Sequence, residues 1–435
     1  MPLRTGWVVT ALALLLASGT VASCGAPPGT VTGAARTTAT PGGPAAPSGS
    51  APAAGTPTAT SAATPVPTPS PTPTPSRGAP TLNPTAPQPT APDSSGDGTD
   101  EPTPAQLAGR RVVFSYPGLT PPPALLADIR AGLVAGVIFF GENVSSPEQL
   151  RGVVRQLREA QQQSPVQAPL LLMTDQEGGL VRRLPGAPEL SARRIGQAAD
   201  PVAAATAAGT GAGTNLAGVG LNVNLAPVLD VYDVPGNFAD HAERSFSSDP
   251  DVVTALGTAF IKAQQRTGVA ATAKHFPGLG TAPANSNTDT GPVTLPAGLS
   301  RLRDVDEAPY PDAVAAGVGL VMLSWAVYPA LDPDHPAGLS TTVVERELRE
   351  RIGFEGVTIT DALEAGALQA VGTTGRRAVA AALAGMDLLL CSARDTGQGE
   401  QAAAALAEAL SSGRLDREEF TAAADRVTAL RSSLD

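Results

Sequence analysis

From about residue 105 onward, short apolar runs alternate with longer segments whose apolar residues recur at helical spacing. The runs fall at Arg111–Ser115, Gly136–Phe140, Leu170–Thr174, Val223–Leu225, Val269–Ala273, Gly319–Leu323, Val357–Thr360 and Asp387–Cys391. Short runs with few polar interruptions predict strands buried on both faces, as parallel strands are. Between them lie amphipathic segments such as Glu148–Gln162, Pro201–Ala217, Asp251–Arg266 and Gly375–Ala384. Ser146 before Pro147 and Asp249 before Pro250 mark helix starts: the polar side chain caps the first amides, and proline sits where no amide is needed. Eight strand–helix units predict an α/β fold of parallel strands joined by crossover helices, closed into a single (β/α)8 TIM-type barrel over residues 105–435. The last segment, Arg417–Ser432, predicts a terminal helix packed outside that barrel.

The chain before this pattern is different. Residues 25–104 are almost entirely Ala, Pro, Thr, Ser and Gly. They carry too little apolar surface to offset the entropy of ordering, so residues 24–104 predict a disordered linker. The barrel pattern then accounts for the remainder and leaves no room for a second catalytic domain. At the start, Arg4 precedes the apolar run Trp7–Leu16, which is short for a membrane span. The run leads to Val21-Ala22-Ser23-Cys24, which resembles a bacterial lipobox. On that reading residues 1–23 are a lipoprotein signal peptide and Cys24 is the lipidated first residue of the mature chain. The expected location is the cell envelope, with the lipid anchored in the outer face of the cytoplasmic membrane. The other reading is an ordinary cleaved signal peptide with an incidental cysteine.

Charge and rare residues remove several function classes. A net charge of −11 without a basic patch argues against nucleic acid as a partner. His241, His275 and His335 are the only histidines and form no ligand-spaced cluster, so neither a metal nor another cofactor is expected. Cys391, within an apolar run, reads as a small core residue, and with no second mature cysteine beyond Cys24 no internal disulfide is expected. A monomer is expected.

The chemistry sits where apolar runs end. Lys274-His275-Phe276-Pro277-Gly278-Leu279-Gly280 follows Val269–Ala273, and Thr360-Asp361-Ala362 follows Gly356–Ile359. Polar residues at the ends of barrel strands lie on the loop face, where barrel enzymes build their sites. A lysine, a histidine and a carboxylate there suit a polyhydroxylated substrate. The lysine block resembles the KHFPG-x-G signature of family 3 glycoside hydrolases, most closely the single-domain bacterial β-N-acetylhexosaminidases. Further blocks match in order: Gly136-Val137-Ile138-Phe139-Phe140, Thr174-Asp175-Gln176-Glu177-Gly178-Gly179 with Arg183-Leu184, Ala226-Pro227-Val228-Leu229-Asp230-Val231, Glu243-Arg244-Ser245-Phe246 and Thr360-Asp361-Ala362-Leu363. The resemblance extends from about residue 110 to the C-terminus. It implies a retaining hydrolase acting on a carbohydrate substrate, β-linked N-acetylglucosamine of cell-wall fragments, with Asp361 as nucleophile. Asp175, Arg183, Arg244, Lys274 and His275 are the substrate-binding residues it implies. An aspartate after a strand is also a good helix cap, so Asp361 has a second reading as the cap of a helix near Leu363. A cis peptide at Phe276-Pro277 is a further expectation.

The chain departs from the family at one place. The hexosaminidases carry a loop motif Asp-Ser-His whose histidine is the general acid/base. Counted without gaps from Lys274, its aspartate and histidine positions hold Asn285 and Asn287, and a second family histidine is replaced by Leu279. Three readings stand. Asp289, in Asn287-Thr288-Asp289, serves as acid/base after a small loop shift; a carboxylic acid is the ordinary choice in retaining glycosidases if burial raises its pKa. Its alternative role is capping the loop. His241, in the loop of Arg244, is recruited instead. Or catalysis is lost and the barrel binds sugar without cleaving it. Other family 3 enzymes take the acid/base from a second domain, which this chain is not expected to have.

Overall fold

Eight parallel strands form one sheet in the computed structural model, which describes residues 101–434. They are β1 (Val112–Phe114), β2 (Gly136–Ile138), β3 (Leu171–Thr174), β4 (Val223–Asn224), β5 (Ala270–Phe276), β6 (Leu320–Leu323), β7 (Val357–Thr360) and β8 (Leu389–Leu390). Each pairs with its neighbour in chain order, and β8 returns to β1 through Val112↔Leu389 and Val113↔Leu390. A parallel bridge between Ile359 and Leu388 brings β7 onto the start of β8 and closes the circle. The expected signal peptide, Cys24 and nearly all of the expected linker lie outside the described residues. A capped helix, Pro104–Gly109, already begins within that linker's last residues: Thr103 accepts from the Gln106 amide and the Gln106 side chain answers the Thr103 amide.

Two apolar layers follow from strands that are buried on both sides. Inside the barrel, Ile138, Phe140, Met173, Leu225, Met322 and Ile359 pack together. Outside it, alternate strand residues such as Val112, Leu172 and Val321 meet the surrounding helices. Each large apolar side chain so buried contributes roughly 1.5–3 kcal/mol, which is why these strands read as continuous apolar runs.

One element differs from expectation and another refines it. β5 runs on through Phe276 instead of ending at Ala273, so Lys274 and His275 belong to the strand itself. Its register against β6 shifts between Lys274 and Phe276, leaving His275 as an extra residue. Strand residues normally alternate between faces, and such an irregularity re-aims side chains near a site. The peptides Lys274–His275 and Phe276–Pro277 are both cis. The terminal helix Arg417–Ser432 has the expected bounds and packs outside the strands as expected, but at the N-terminal mouth of the barrel. Val427 joins the interior cluster, and Arg431 donates to the carbonyls of Ala168 and Pro169 just ahead of β3. Arg426 pairs with the buried Asp387 ahead of β8 at 2.8 Å. An apolar barrel interior needs a floor, and this helix supplies it.

Candidate active site

At the opposite mouth, the ends of β3, β5 and β7 and the loop after β4 bring charged groups together. Asp175 follows β3, and Glu177 stands two residues on, in a short hairpin of Gln176–Gly178 and Val181–Arg182. The spacing of two puts both carboxylates on one side of extended backbone. Lys274 Nζ lies between them, 2.9 Å from Asp175 Oδ1 and 2.8 Å from Glu177 Oε1. Arg244 reaches Glu177 with two hydrogen bonds, and Arg183 lies 3.6 Å from Asp175 Oδ2. Buried charges survive only when paired in this way. Burial alone would raise the pKa of Asp175, but Lys274 and Arg183 outweigh it and hold the carboxyl below its ordinary range. Glu177 is likewise held well below the usual range, with Arg244 and Lys274 overcoming its burial.

The supporting polar residues fix where these groups point. Asn224 of β4 accepts from the Gln176 amide at 2.9 Å and donates to its carbonyl at 3.1 Å, pinning the backbone between Asp175 and Glu177. The Gln176 side chain bonds the amides of Arg183 and Leu184, each at 3.0 Å, and so shapes the loop that presents Arg183. Arg183 Nε is buried with no hydrogen-bond partner among the described residues. Asp230, in the loop after β4, pairs with His275 Nδ1 at 2.8 Å and accepts the Leu279 amide at 2.8 Å. His275 Nε2 therefore faces the site, 3.4 Å from an Arg244 nitrogen. Gly280 leaves no room for a side chain, since a Cβ there would sit 1.9 Å from the Val231 carbonyl oxygen. All five expected substrate contacts thus fall in one cluster. Glu177 and Asp230 were not singled out as site residues from the sequence, though both lie in matched blocks. The signal was a buried lysine, arginine and histidine that each require a carboxylate.

Asp361 directly follows β7 and is buried, with Oδ1 accepting the Ala362 amide at 2.7 Å. No helix starts near Leu363 for it to cap: the next helical turn is Gly366–Val371, preceded by Ala365. The loop is held instead by Trp325, whose indole donates to the Ala362 carbonyl at 2.9 Å.

The segment where the family motif is replaced approaches this loop. Asn285 is exposed. Asn287 caps the local turn, its Oδ1 accepting the Asp289 amide at 2.9 Å and its carbonyl accepting from Thr290 and Gly291. The capping role expected as an alternative for Asp289 therefore belongs to Asn287. Asp289 Oδ2 is buried and without a hydrogen-bond partner among the described residues. Burial, then the neighbouring Asp361 and the carboxylates of Glu364 and Asp175, raise the Asp289 pKa to about 8 against the opposing pull of Arg244. His241 ends the short helix Phe238–His241, is exposed, and makes no side-chain hydrogen bond among the described residues. Leu279 is buried where the family has histidine.

Residues 117–430 match the model of the glycosyl hydrolase family 3 N-terminal domain. The chain is 46% identical over 332 residues to an "uncharacterized secreted glycosyl hydrolase" of Arthroderma benhamiae, covering 76% of this chain and 94% of that protein. Among solved structures it resembles a family 3 β-N-acetylglucosaminidase from a Paenibacillus species, with a TM-score of 0.72 and 34% identity, over 77% of this chain and 63% of that one. A β-N-acetylhexosaminidase from Beutenbergia cavernae gives a TM-score of 0.69 at 32% identity, over 76% of this chain and 99% of the other.

Proposed function

Because the chain belongs to glycosyl hydrolase family 3, and is thus a glycosidase cleaving O-glycosyl bonds, we propose that it is a retaining β-N-acetylhexosaminidase with Asp361 as nucleophile and Asp289 as acid/base. The observation that carries this reading is the Asp289 carboxyl: its Oδ2 is buried and without a hydrogen-bond partner among the described residues, and burial beside Asp361 keeps the group protonated near neutral pH. In the first step the Asp361 carboxylate attacks the anomeric carbon while Asp289 gives its proton to the departing glycosidic oxygen. In the second, Asp289, now a carboxylate, takes a proton from water. That water attacks the anomeric carbon and releases Asp361. Arg183, His275 and the Lys274-braced Asp175 contact the sugar hydroxyls and the acetamido group.

The names of the Paenibacillus and Beutenbergia enzymes support an N-acetylglucosaminide as substrate. Cell-wall fragments are the proposed natural source, since the reading of Val21-Ala22-Ser23-Cys24 puts the protein outside the cytoplasmic membrane, tethered through lipid on Cys24. The word "secreted" in the name of the Arthroderma relative agrees with export. The decisive experiment is hydrolysis of a β-N-acetylglucosaminide followed by NMR. Release of the β-anomer first is expected. Initial release of the α-anomer would overturn retention, and sugar binding without turnover would leave a non-catalytic barrel.

A further inference from the structure

Backbone hydrogen bonds sew the segment that carries Asp289 to three neighbouring loops. Near its start, the Asp233 amide donates to Gly280 at 2.8 Å and the Phe238 amide to Ala282 at 3.0 Å. Near its end, Leu295 donates to Val327 and Val327 donates back to Val293, both at 2.9 Å. Between these, Gly366 donates to the Asp289 carbonyl and Ala367 to the Thr288 carbonyl, again at 2.9 Å each. Those two donors are the first amides of the helical turn Gly366–Val371, which have no partner within their own turn. Consecutive donors on consecutive carbonyls fix the peptide between Thr288 and Asp289, and with it the direction in which the Asp289 side chain leaves the chain. The approach is as close as backbone allows. A Cβ on Gly366 would lie 2.6 Å from the Thr290 carbonyl carbon and 2.9 Å from the Asp289 oxygen.

We propose that Gly366 is a positioning residue for the reaction: its bare Cα lets the Asp361 loop seat the Asp289 loop, so that nucleophile and acid/base are carried on one hydrogen-bonded backbone unit. This rests on the reading of Asp289 as acid/base.

The test is Gly366→Ala, read on three properties beside Asp289→Ala. An activated fluorosugar that needs no leaving-group protonation should label Asp361 at the wild-type rate. Turnover of a natural disaccharide should fall about ten- to a hundredfold, part of the 10²–10⁴ that a general acid contributes. The alkaline limb of kcat/KM, near pH 8 in the wild type, should move to lower pH as Asp289 separates from Asp361, Glu364, Asp175 and Arg244, the charged groups that surround it. A second arm, Asn287→Ala, removes the turn's cap without adding bulk and should give a smaller loss of the same kind, which keeps the test open if Gly366→Ala does not fold. Unchanged disaccharide turnover in both variants, or labelling and turnover falling together, overturns the inference. If Asp289→Ala shows the leaving-group effect and the loop variants do not, only the positioning role fails. If Asp289→Ala shows none, the acid/base reading fails and the inference with it.

Discussion

Arg244 grips Glu177 at two points, Nε to Oε2 at 2.9 Å and a terminal nitrogen to Oε1 at 2.7 Å. The fork of an arginine matches both oxygens of a carboxylate, so this pair fixes orientation as well as charge. Its position explains why Lys274 can be wholly buried: Glu177, held by Arg244 on one side, presents Oε1 to the lysine on the other. Arg244 thus orders Glu177 directly, braces Lys274 through it, and lies 3.4 Å from His275 Nε2.

Glu177→Gln should therefore be severe. Removing one partner of a buried ion network costs roughly 3–5 kcal/mol, because the remaining charges lose their compensation. Urea unfolding should show the loss as a lower midpoint at unchanged slope. A change within the range of ordinary surface substitutions would mean that water or other groups satisfy Arg244 and Lys274.

Asp361→Asn should abolish turnover while leaving the fold in place, since among the described residues its side chain makes one hydrogen bond, with the Ala362 amide. A fluorosugar adduct should appear on the peptide containing Asp361 in the wild type and be absent in the variant by intact-mass measurement. An adduct on Asp175 or Asp289 instead would reassign the nucleophile.

Asp289→Ala should separate substrates by leaving group. Natural disaccharides should slow about 10²- to 10⁴-fold, the usual contribution of a general acid, and activated aryl glycosides much less. Azide should restore turnover of the aryl substrates by attacking the glycosyl-enzyme without needing a base. Equal rates for variant and wild type on both substrates would exclude Asp289 from the mechanism.

Stability should also report Asp289. Its folded pKa, about 8, lies above the ordinary carboxyl value. Between the two values the folded state holds a proton that the unfolded state has released, so this group makes stability fall as pH rises from the ordinary carboxyl range to about 8. Asp289→Asn removes that proton linkage. The Tm gain of the variant over the wild type should be small near pH 4 and grow toward pH 8. A gain that is constant with pH would show that the carboxyl is not protonated in the fold.

The strands were legible because each is buried on both faces, and the apolar run is the direct trace of that burial. The end of β5 was not. Lys274 and His275 look like a loop in a hydropathy reading, yet they continue the strand because Asp175, Glu177 and Asp230 pair with them across the mouth. Such pairing is long-range and leaves no periodic mark. The candidate site was legible as motif blocks, but Glu177 and Asp230 act on other protein groups, and only geometry separates that from contact with substrate. Asp289 could be nominated from its place in the loop. That Asn287 performs the turn's capping instead became visible only with the backbone.

The helix across the N-terminal mouth has a consequence for how this chain acquires its structure. Val427 and the residues around it follow all eight strands in the chain, so a polypeptide emerging vectorially keeps the barrel's apolar interior open to water at that end until its last turns arrive. Domains fold as units, and exposed apolar surface in an incomplete one invites association. Until that helix docks, the interior cluster lacks Val427 and stays exposed at that end, so the order of synthesis leaves the barrel's apolar lining as the last core surface to be covered.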